Sequence, residues 1–457
     1  MSGGFQGKKV LVMGLGLHGG GTGTVKFLLK SGAIVTVTDL RKKGVLKPSL
    51  DKLRGLKNVR FVLGRHKKED FENADIILKN PAVLPDSPYL KYAASAGIPI
   101  TSDIAIFLNY SPARVIGITG TRGKSTTASI LTEFLRMKFE RVFIGGNIRK
   151  SALELLPRLK KQDWVILELS SFQLHDLGYE RTRGAGPHIA IITNILEDHL
   201  NWHKNFSYYV HAKSNIFKFQ GPDDYLFLNP EDLTLRGFKK KARAKIIFPR
   251  LEKKYKKIVE KNLGRHYFTS IALAIAAAKK LGVGNGAIKK VLNKYKGLEG
   301  REEKIALIRG VHFINDTTAT SPDAVIAALN RFRNVISKKN KLILISGGGS
   351  KGLNFSEVSK KIAEKTEVLI LLPGSATEKI KQALNAINFR PKTLKVTRKI
   401  KSMREAVRVA YQYAKRGDYI ILSPGADSFN IFLNEFDRGD KFVEAVRLLK
   451  KKDVRFN

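Results

Sequence analysis

The chain is 457 residues long, enough for about three domains, and 43% of it is hydrophobic, enough to pack their cores. It contains no cysteine, which excludes disulfides, thiolate metal sites and a cysteine nucleophile. Lys and Arg outnumber Asp and Glu by 83 to 40; the resulting +43 suits either a nucleic-acid partner or surfaces that face anionic substrates and membranes. Residues 1–9 lack the apolar core of a signal peptide, and the longest apolar runs, such as 271–278, are too short to cross a bilayer, so a soluble cytoplasmic protein is expected. A strand over 9–13 leads into Gly14-Leu15-Gly16-Leu17-His18-Gly19, and a second over 34–38 ends in Asp39, twenty residues past Gly19. Strand, G-x-G-x-x-G and a following acid form a dinucleotide fingerprint suited to NAD, although any nucleotide diphosphate can use the same helix end. Further strands are expected at 76–78, 115–116, 165–167, 189–192, 311–314, 342–345, 368–372 and 419–422, many of them separated by helical patterns. Apolar strands alternating with helices predict an α/β fold built on parallel sheets covered on both faces. Domain boundaries are expected near 109–112 and 296–303.

A second glycine-rich loop carries more information. Val115 and Ile116 precede Gly117-Ile118-Thr119-Gly120-Thr121-Arg122-Gly123-Lys124-Ser125-Thr126-Thr127, and an amphipathic segment follows. Such a strand–loop–helix wraps phosphates in backbone N–H groups at a helix N-terminus; Lys124 would reach the β/γ-phosphates and Ser125 would hold Mg²⁺. The P-loop spacing is imperfect, because Ile118 stands where the first glycine belongs and Gly117 is one place early. Two nucleotide loops in one chain imply two nucleotide-bearing molecules. Glu168, at the end of an apolar strand, is either a Mg²⁺ ligand or a rim carboxylate in a salt bridge. Ser170, Ser171 and Gln173 can hydrogen-bond a phosphate or a sugar, and His199 is a candidate for a second Mg²⁺ or for an anionic substrate. Lys213 lies fourteen residues beyond His199. The basic residues are spread out, and no RNP-type, helix-turn-helix or zinc-finger pattern accompanies them, so no specific nucleic-acid partner is expected.

As a set these stretches resemble the Mur ligases of peptidoglycan synthesis, over nearly the whole chain. The marks are Gly120 to Thr126, Gly145-Gly146-Asn147-Ile148, Glu168-Leu169-Ser170-Ser171-Phe172-Gln173-Leu174, Glu197-Asp198-His199 with Lys213, Asn315-Asp316 with Ala319-Thr320, and Ser423-Pro424-Gly425 with Ser428-Phe429. Ser-Ser-Phe-Gln-Leu and Gly-Gly-Asn-Ile resemble the branch that adds D-glutamate. The resemblance implies three domains: a Rossmann-like UDP-substrate-binding domain over 1–110, a central P-loop-type ATPase with a parallel sheet over 111–299, and a Rossmann-like lid for the amino acid over 300–457. It implies an ADP-forming ligase that joins D-glutamate to UDP-N-acetylmuramoyl-L-alanine through an acyl phosphate, acting as a cytoplasmic monomer.

Residue by residue, it puts Gly14, Leu15 and Gly16 on the UDP diphosphate, Asp39 and Arg41 near the uracil, and Asn147, Ser170, Ser171 and Gln173 on the muramoyl part. ATP falls to Gly120, Thr121, Gly123, Lys124, Ser125, Thr126, Arg301 and Asp316. Lys124, Glu168, His199 and Lys213 are the implied catalytic set. Ser125 and Glu168 would hold one Mg²⁺, and His199 and Lys213 the other. The family's equivalent lysine is usually carbamylated, which turns a cation into a carboxylate-like ligand. D-glutamate falls to Thr320, Lys351 and Ser428. The chain departs from the family pattern at Arg122, Tyr267, Ser270, Thr318, Asn201, Ser350, Asn354 and Glu435. The alternatives are another Mur-type or folylpolyglutamate-type ligase, an NAD-dependent dehydrogenase and a nucleic-acid-binding ATPase.

Overall fold

The structure, a computed structural model, describes residues 4–17, 19–146, 151–179, 186–350, 352–387, 395–397, 400–428 and 431–454. Among them, no helix is long and apolar enough to cross a membrane. The chain divides into two compact units, Met1–Tyr295 and Lys296–Asn457.

The first unit opens with β1 (Lys9–Met13), α1 (Gly20–Lys30), β2 (Ile34–Asp39), β3 (Val59–Leu63), β4 (Ile76–Lys79), β5 (Ile100–Thr101) and α2 (Asp103–Tyr110). The strands form a parallel sheet in the order β3-β2-β1-β4-β5. The unit continues with β6 (Arg114–Thr119), α3 (Lys124–Arg136), β7 (Val142–Gly146), β8 (Trp164–Glu168), α4 (Ser171–Tyr179), β9 (Ile189–Ile192), α5 (Leu200–His203), α6 (Phe206–Ser214), β10 (Tyr225–Leu228), β11 (Lys245–Ile247) and α7 (Phe268–Lys280). This second parallel sheet has the order β11-β10-β9-β6-β8-β7. Strands β6, β8 and β9 are wholly or almost wholly buried, so they are continuous apolar runs rather than alternating ones. The two sheets share one apolar core. It runs from Val10, Val12 and Val35 through Ile104 to Leu108 and Ala152 to Leu156 into Val165 and Leu167.

Both sheets reverse their strand order around a central strand, β1 in the first and β6 in the second. A crevice opens at the carboxyl end of such a strand, and ligands of open α/β sheets bind there. Each glycine-rich loop of the sequence follows one of these two strands.

The second unit contains β12 (Glu303–Ile308), β13 (Val311–Asn315), α8 (Pro322–Val335), β14 (Leu342–Gly347), β15 (Val368–Leu372), β16 (Lys395–Thr397), β17 (Tyr419–Leu422) and α9 (Glu435–Val454). Its sheet order is β12-β13-β17-β14-β15-β16, parallel except for the β12–β13 hairpin. Separate apolar cores contain Phe313, Ile343, Ile345 and Phe442 in one, and Ile314, Leu342, Leu344 and Leu329 in the other. That is the alternation expected when helices cover both faces of a sheet.

Candidate active site

The loop after β1 is held by an acid. Asp39, buried at the end of β2, accepts hydrogen bonds from the Leu15 and Gly16 N–H groups at 2.9 and 3.3 Å, and from the Arg41 N–H at 2.9 Å. This carboxylate shapes the loop and orients two of its amides. Asn80, just past β4, closes the other side by donating to the Gly14 carbonyl at 3.2 Å. Arg41 is exposed beside this rim.

The loop after β6 is held differently. Gly120 has φ +147, and a Cβ there would lie 1.9 Å from Thr193 Oγ1, so only glycine fits. The segment after β9 clamps the loop: Thr193 Oγ1 donates to the Arg122 carbonyl, Asn194 Oδ1 accepts from the Arg122 N–H, and the Thr121 N–H reaches the Asn194 carbonyl. Thr121 Oγ1 meets the Tyr209 hydroxyl at 2.9 Å. Two lysine side-chain nitrogens converge on one carbonyl. Lys124 Nζ lies 2.8 Å from Gly120 O and Lys213 Nζ lies 2.9 Å from it. Lys213 is 1% exposed. Burial, reinforced by the Lys124 charge, pushes its pKa well below the ordinary lysine value, while Asp198 and Glu168 oppose that shift. Lys213 therefore tends toward the neutral amine.

Glu168 ends β8, in register with Ile118 of β6 and Gly146 of β7, and is 3% exposed. Ser125 and Thr126 stand in the first turn of α3, whose N-terminus carries the loop's amides. Ser170 and Gln173 form a capping box on α4: the Gln173 N–H reaches Ser170 Oγ at 3.2 Å, and Gln173 Oε1 accepts from the Ser170 N–H at 3.0 Å. Ser171 Oγ pairs with His203 Nε2 at 2.9 Å. His203 stacks flat on Phe172, and burial with the neighbouring His175, His199 and Lys213 charges lowers its pKa to about 4, so it is neutral. His199 is exposed at the start of α5, with φ +54, its ring against Phe172 and its Nε2 3.6 Å from Asp198. Ser270 lies against the loop, since a Cβ on Gly123 would come 2.7 Å from its Oγ.

Within the first unit, then, Lys124, Lys213 and Glu168 come together around the β6 loop, with Asp198 and His199 beside them. Thr193, Tyr209 and His203 were missed by sequence reasoning. Only their position just after an apolar strand, or on the helices before and at Lys213, could have flagged them. Asn147 and Lys351 lie outside the described residues. Among the described residues, no three His, Asp or Glu side chains form a metal-binding group. What is present for Mg²⁺ is one buried carboxylate, Glu168, and the Ser125 hydroxyl. That set suits an ion completed by phosphate oxygens and water.

The remaining candidates lie in the second unit, where three loops interlock. Gly425 N–H reaches Ala319 O, Gly347 N–H reaches Pro424 O, and Gly349 pairs with Asp427. Asp316 is buried, accepts from Ser423 Oγ at 2.8 Å, and has its pKa raised by burial to about 7. Arg301 Nε reaches Thr318 Oγ1 at 3.5 Å. Thr320 is half-buried and Ser428 buried on these same loops. Beneath them Arg438, 0% exposed, donates to the Thr317 and Ala426 carbonyls and so joins two of the loops. Nothing in the sequence singled Arg438 out.

Family models match in three blocks: the MurD-like N-terminal domain of Mur ligases over residues 8–102, the Mur ligase middle domain over 118–282, and the glutamate ligase domain of Mur ligases over 300–425. A curated UDP-N-acetylmuramoylalanine–D-glutamate ligase of Roseiflexus sp. (strain RS-1) is 38% identical across 97% of this chain and 99% of its own length. The protein of the same name from Borreliella afzelii (strain PKo) is 36% identical across 96% and 97%. The chain belongs to the Mur ligase family. Its fold is the family's as well. UDP-N-acetylmuramate–alanine ligase MurC from Thermotoga maritima superposes with a TM-score of 0.61 at 17% identity, covering 97% of this chain and 100% of that one. MurF ligase from Thermotoga maritima, solved in complex with ADP, gives 0.56 at 17% identity, covering 99% and 97%. Mur-family membership removes the NAD-dehydrogenase and nucleic-acid-ATPase readings and assigns both glycine-rich loops to a ligase.

Proposed function

We propose that this chain is an ATP-dependent ligase that joins D-glutamate to UDP-N-acetylmuramoyl-L-alanine in peptidoglycan synthesis, forming ADP and phosphate. The observation that carries the reading is the pair of loops at two switch points in one unit, the second of which has Lys124 and Lys213 on its Gly120 carbonyl. Phosphoryl transfer from ATP to the L-alanyl carboxylate brings two anions together, and the Lys124 ammonium at the second loop offsets that repulsion. Lys124 moves from the Gly120 carbonyl to the transferring phosphate, and the α3 N-terminus receives the remaining charge. The acyl phosphate is then attacked by the D-glutamate amine, and phosphate leaves from the tetrahedral adduct.

Magnesium, held by Ser125 and Glu168 and at a second position by His199 and Lys213, would supply further charge neutralisation. An ammonium cannot ligate a cation, so Lys213 serves there only as a carbamate. Its burial favours the neutral amine that carbon dioxide requires. The first domain, 1–110, receives UDP, with Gly14, Leu15 and Gly16 on the diphosphate and Asp39 and Arg41 near the uracil, while Asn147, Ser170, Ser171 and Gln173 hold the muramoyl part. The second, 111–299, binds ATP. The third, 300–457, offers Arg301 and Asp316 to ATP, and Thr320, Lys351 and Ser428 to D-glutamate. The enzyme works as a cytoplasmic monomer.

The deciding assay is phosphate release from ATP and Mg²⁺ with UDP-N-acetylmuramoyl-L-alanine, with and without D-glutamate, across a panel of other amino acids. Release that needs both partners supports the proposal. Release with a different amino acid keeps a ligase and overturns the D-glutamate assignment. Absence of release with every pair overturns the ligase reading.

A further inference from the structure

The Lys79 ammonium is nearly buried, with its side chain 6% exposed, at the end of β4. It forms an ion pair with Asp176 of α4 at 3.0 Å, the carboxylate side chain being 7% exposed. It also lies over the Trp202 ring of α5, 6.0 Å from its centroid. On its own side it donates to the Val83 carbonyl at 3.0 Å and to the Asn80 carbonyl at 3.4 Å. One side chain thus joins the turn that holds Gly14 to the helix that begins with Ser171. A second buried acid, Asp103 of α2, is close enough for both Lys79 and Asp176 to act on it, and burial raises its pKa to about 6.

A buried ion pair is a poor way to gain stability. Desolvation of both charges offsets their attraction, and an apolar pair of similar volume is often as stable or more so. What such a pair supplies is a fixed distance and direction. Asn80 closes the rim of the first glycine-rich loop. At the other end α4 carries the Ser170–Gln173 capping box and Ser171, and His203 holds it at Ser171. The Lys79–Asp176 bridge is a buried ion pair linking these two parts of the first unit.

We propose that Lys79 is a positioning residue: it fixes the span between the loop that receives the diphosphate and the α4 turn that receives the acyl end of the same nucleotide-sugar substrate. The claim rests on the ligase reading above, which makes one extended molecule touch both ends. UDP alone touches only the loop, whereas UDP-N-acetylmuramoyl-L-alanine needs the span, so the two separate under substitution.

The experiment measures binding of both to the full-length wild type, to Lys79→Met and to the double variant Lys79→Met/Asp176→Leu, with thermal unfolding of each. The expected result is UDP affinity within about twofold of wild type, and nucleotide-sugar affinity lowered about tenfold or more in both variants. The double variant should regain most of the thermal stability lost in Lys79→Met, because the Asp176 charge is removed with its partner and no longer acts on the buried Asp103. Recovery of nucleotide-sugar affinity together with stability would make the bridge merely structural and overturn the proposal. An equal loss for UDP and the nucleotide sugar would reassign Lys79 to the shape of the loop, also overturning it. Binding needs no turnover. A wild type that binds UDP but not the nucleotide sugar counts against the substrate assignment underneath, whereas tight wild-type binding with unchanged variants counts against Lys79 alone.

Discussion

The two glycine-rich loops of the first unit occupy the same place in two sheets, yet they are held by opposite chemistry. The loop after β1 has its Leu15 and Gly16 amides turned onto the Asp39 carboxylate. The loop after β6 has its Gly120 carbonyl turned onto the Nζ atoms of Lys124 and Lys213. A switch point and a helix N-terminus suffice to bind a phosphate in either case. The difference lies in what happens to the bound group. A diphosphate that is only carried needs oriented amides, and an acid can hold them ready. A phosphate that is transferred needs cations that follow its charge, and those must come from flexible side chains waiting on a weak acceptor. On the ligase reading proposed above, the lysine-lined loop is the reactive one.

The largest effects should come from removing that difference. Lys124→Met should lower ligation about 10³-fold or more, read as steady-state phosphate release, with nucleotide-sugar binding unchanged. A loss under tenfold would break the contrast between a carrying and a reacting loop. Lys213→Met should cost about 10²-fold in the same assay without lowering thermal stability. The sign follows from its depressed pKa. A buried lysine whose folded pKa lies below the unfolded value costs folding free energy wherever the unfolded chain carries the proton; that cost grows as pH falls from the unfolded pKa to the folded one and is constant below it. Methionine removes it. A melting temperature well below wild type at neutral pH would show that Lys213 is there for packing. Wild-type activity that rises with added bicarbonate, and a variant that ignores it, would sharpen the assignment of Lys213 as a carbamate.

Backbone freedom separates the loops as well. A Cβ on Gly120 would overlap Thr193 Oγ1 at φ +147, whereas a Cβ on Gly16, at φ +65, would meet nothing closer than Asn80 Nδ2 at 3.7 Å. Gly120→Ala should destabilise the protein by roughly 1–3 kcal/mol, and Gly16→Ala by about 1 kcal/mol, in denaturant unfolding of the first unit's transition. Equal losses would mean that the β6 loop is no more tightly clamped than its counterpart.

Much of this was legible in the chain. Apolar runs gave β1, β2, β4, β6, β8 and β9, because strands buried on both faces have no polar alternation to confuse them. Both loops were legible because glycine and lysine at strand ends have few other uses. The strands β3, β5, β7, β10, β11 and β16 were not read from the sequence. In β7 the paired glycines 145 and 146 had been read as a motif rather than as the end of a strand. β12 was unread because an edge strand such as Glu303–Ile308 mixes charged and apolar residues. At the site, Lys213 and Glu168 were named without any means of knowing that both act around Gly120. Thr193, His203, Lys79 and Arg438 were invisible for the same reason. Their roles arise from partners between 12 and 121 residues away, and one sequence carries no record of which distant residues meet.

The smallest predicted effect tests the acid-held loop itself. Asp39→Ala removes two acceptor contacts to loop amides and one to Arg41 N–H. Hydrogen bonds to a charged group of this kind contribute about 1.5–3 kcal/mol each when buried, and water will replace much of that at a rim. The nucleotide-sugar KM should rise about fivefold to tenfold, with the ATP KM and kcat within about twofold. Asp39→Asn keeps an acceptor oxygen without the charge, and should fall between alanine and wild type. The opposite sign would be equally informative. If Asp39→Ala tightens UDP binding, the carboxylate competes with the diphosphate for the Leu15 and Gly16 amides instead of holding them ready. The first loop would then be an anion site kept shut by its own acid, and the two loops would differ in accessibility rather than in reactivity.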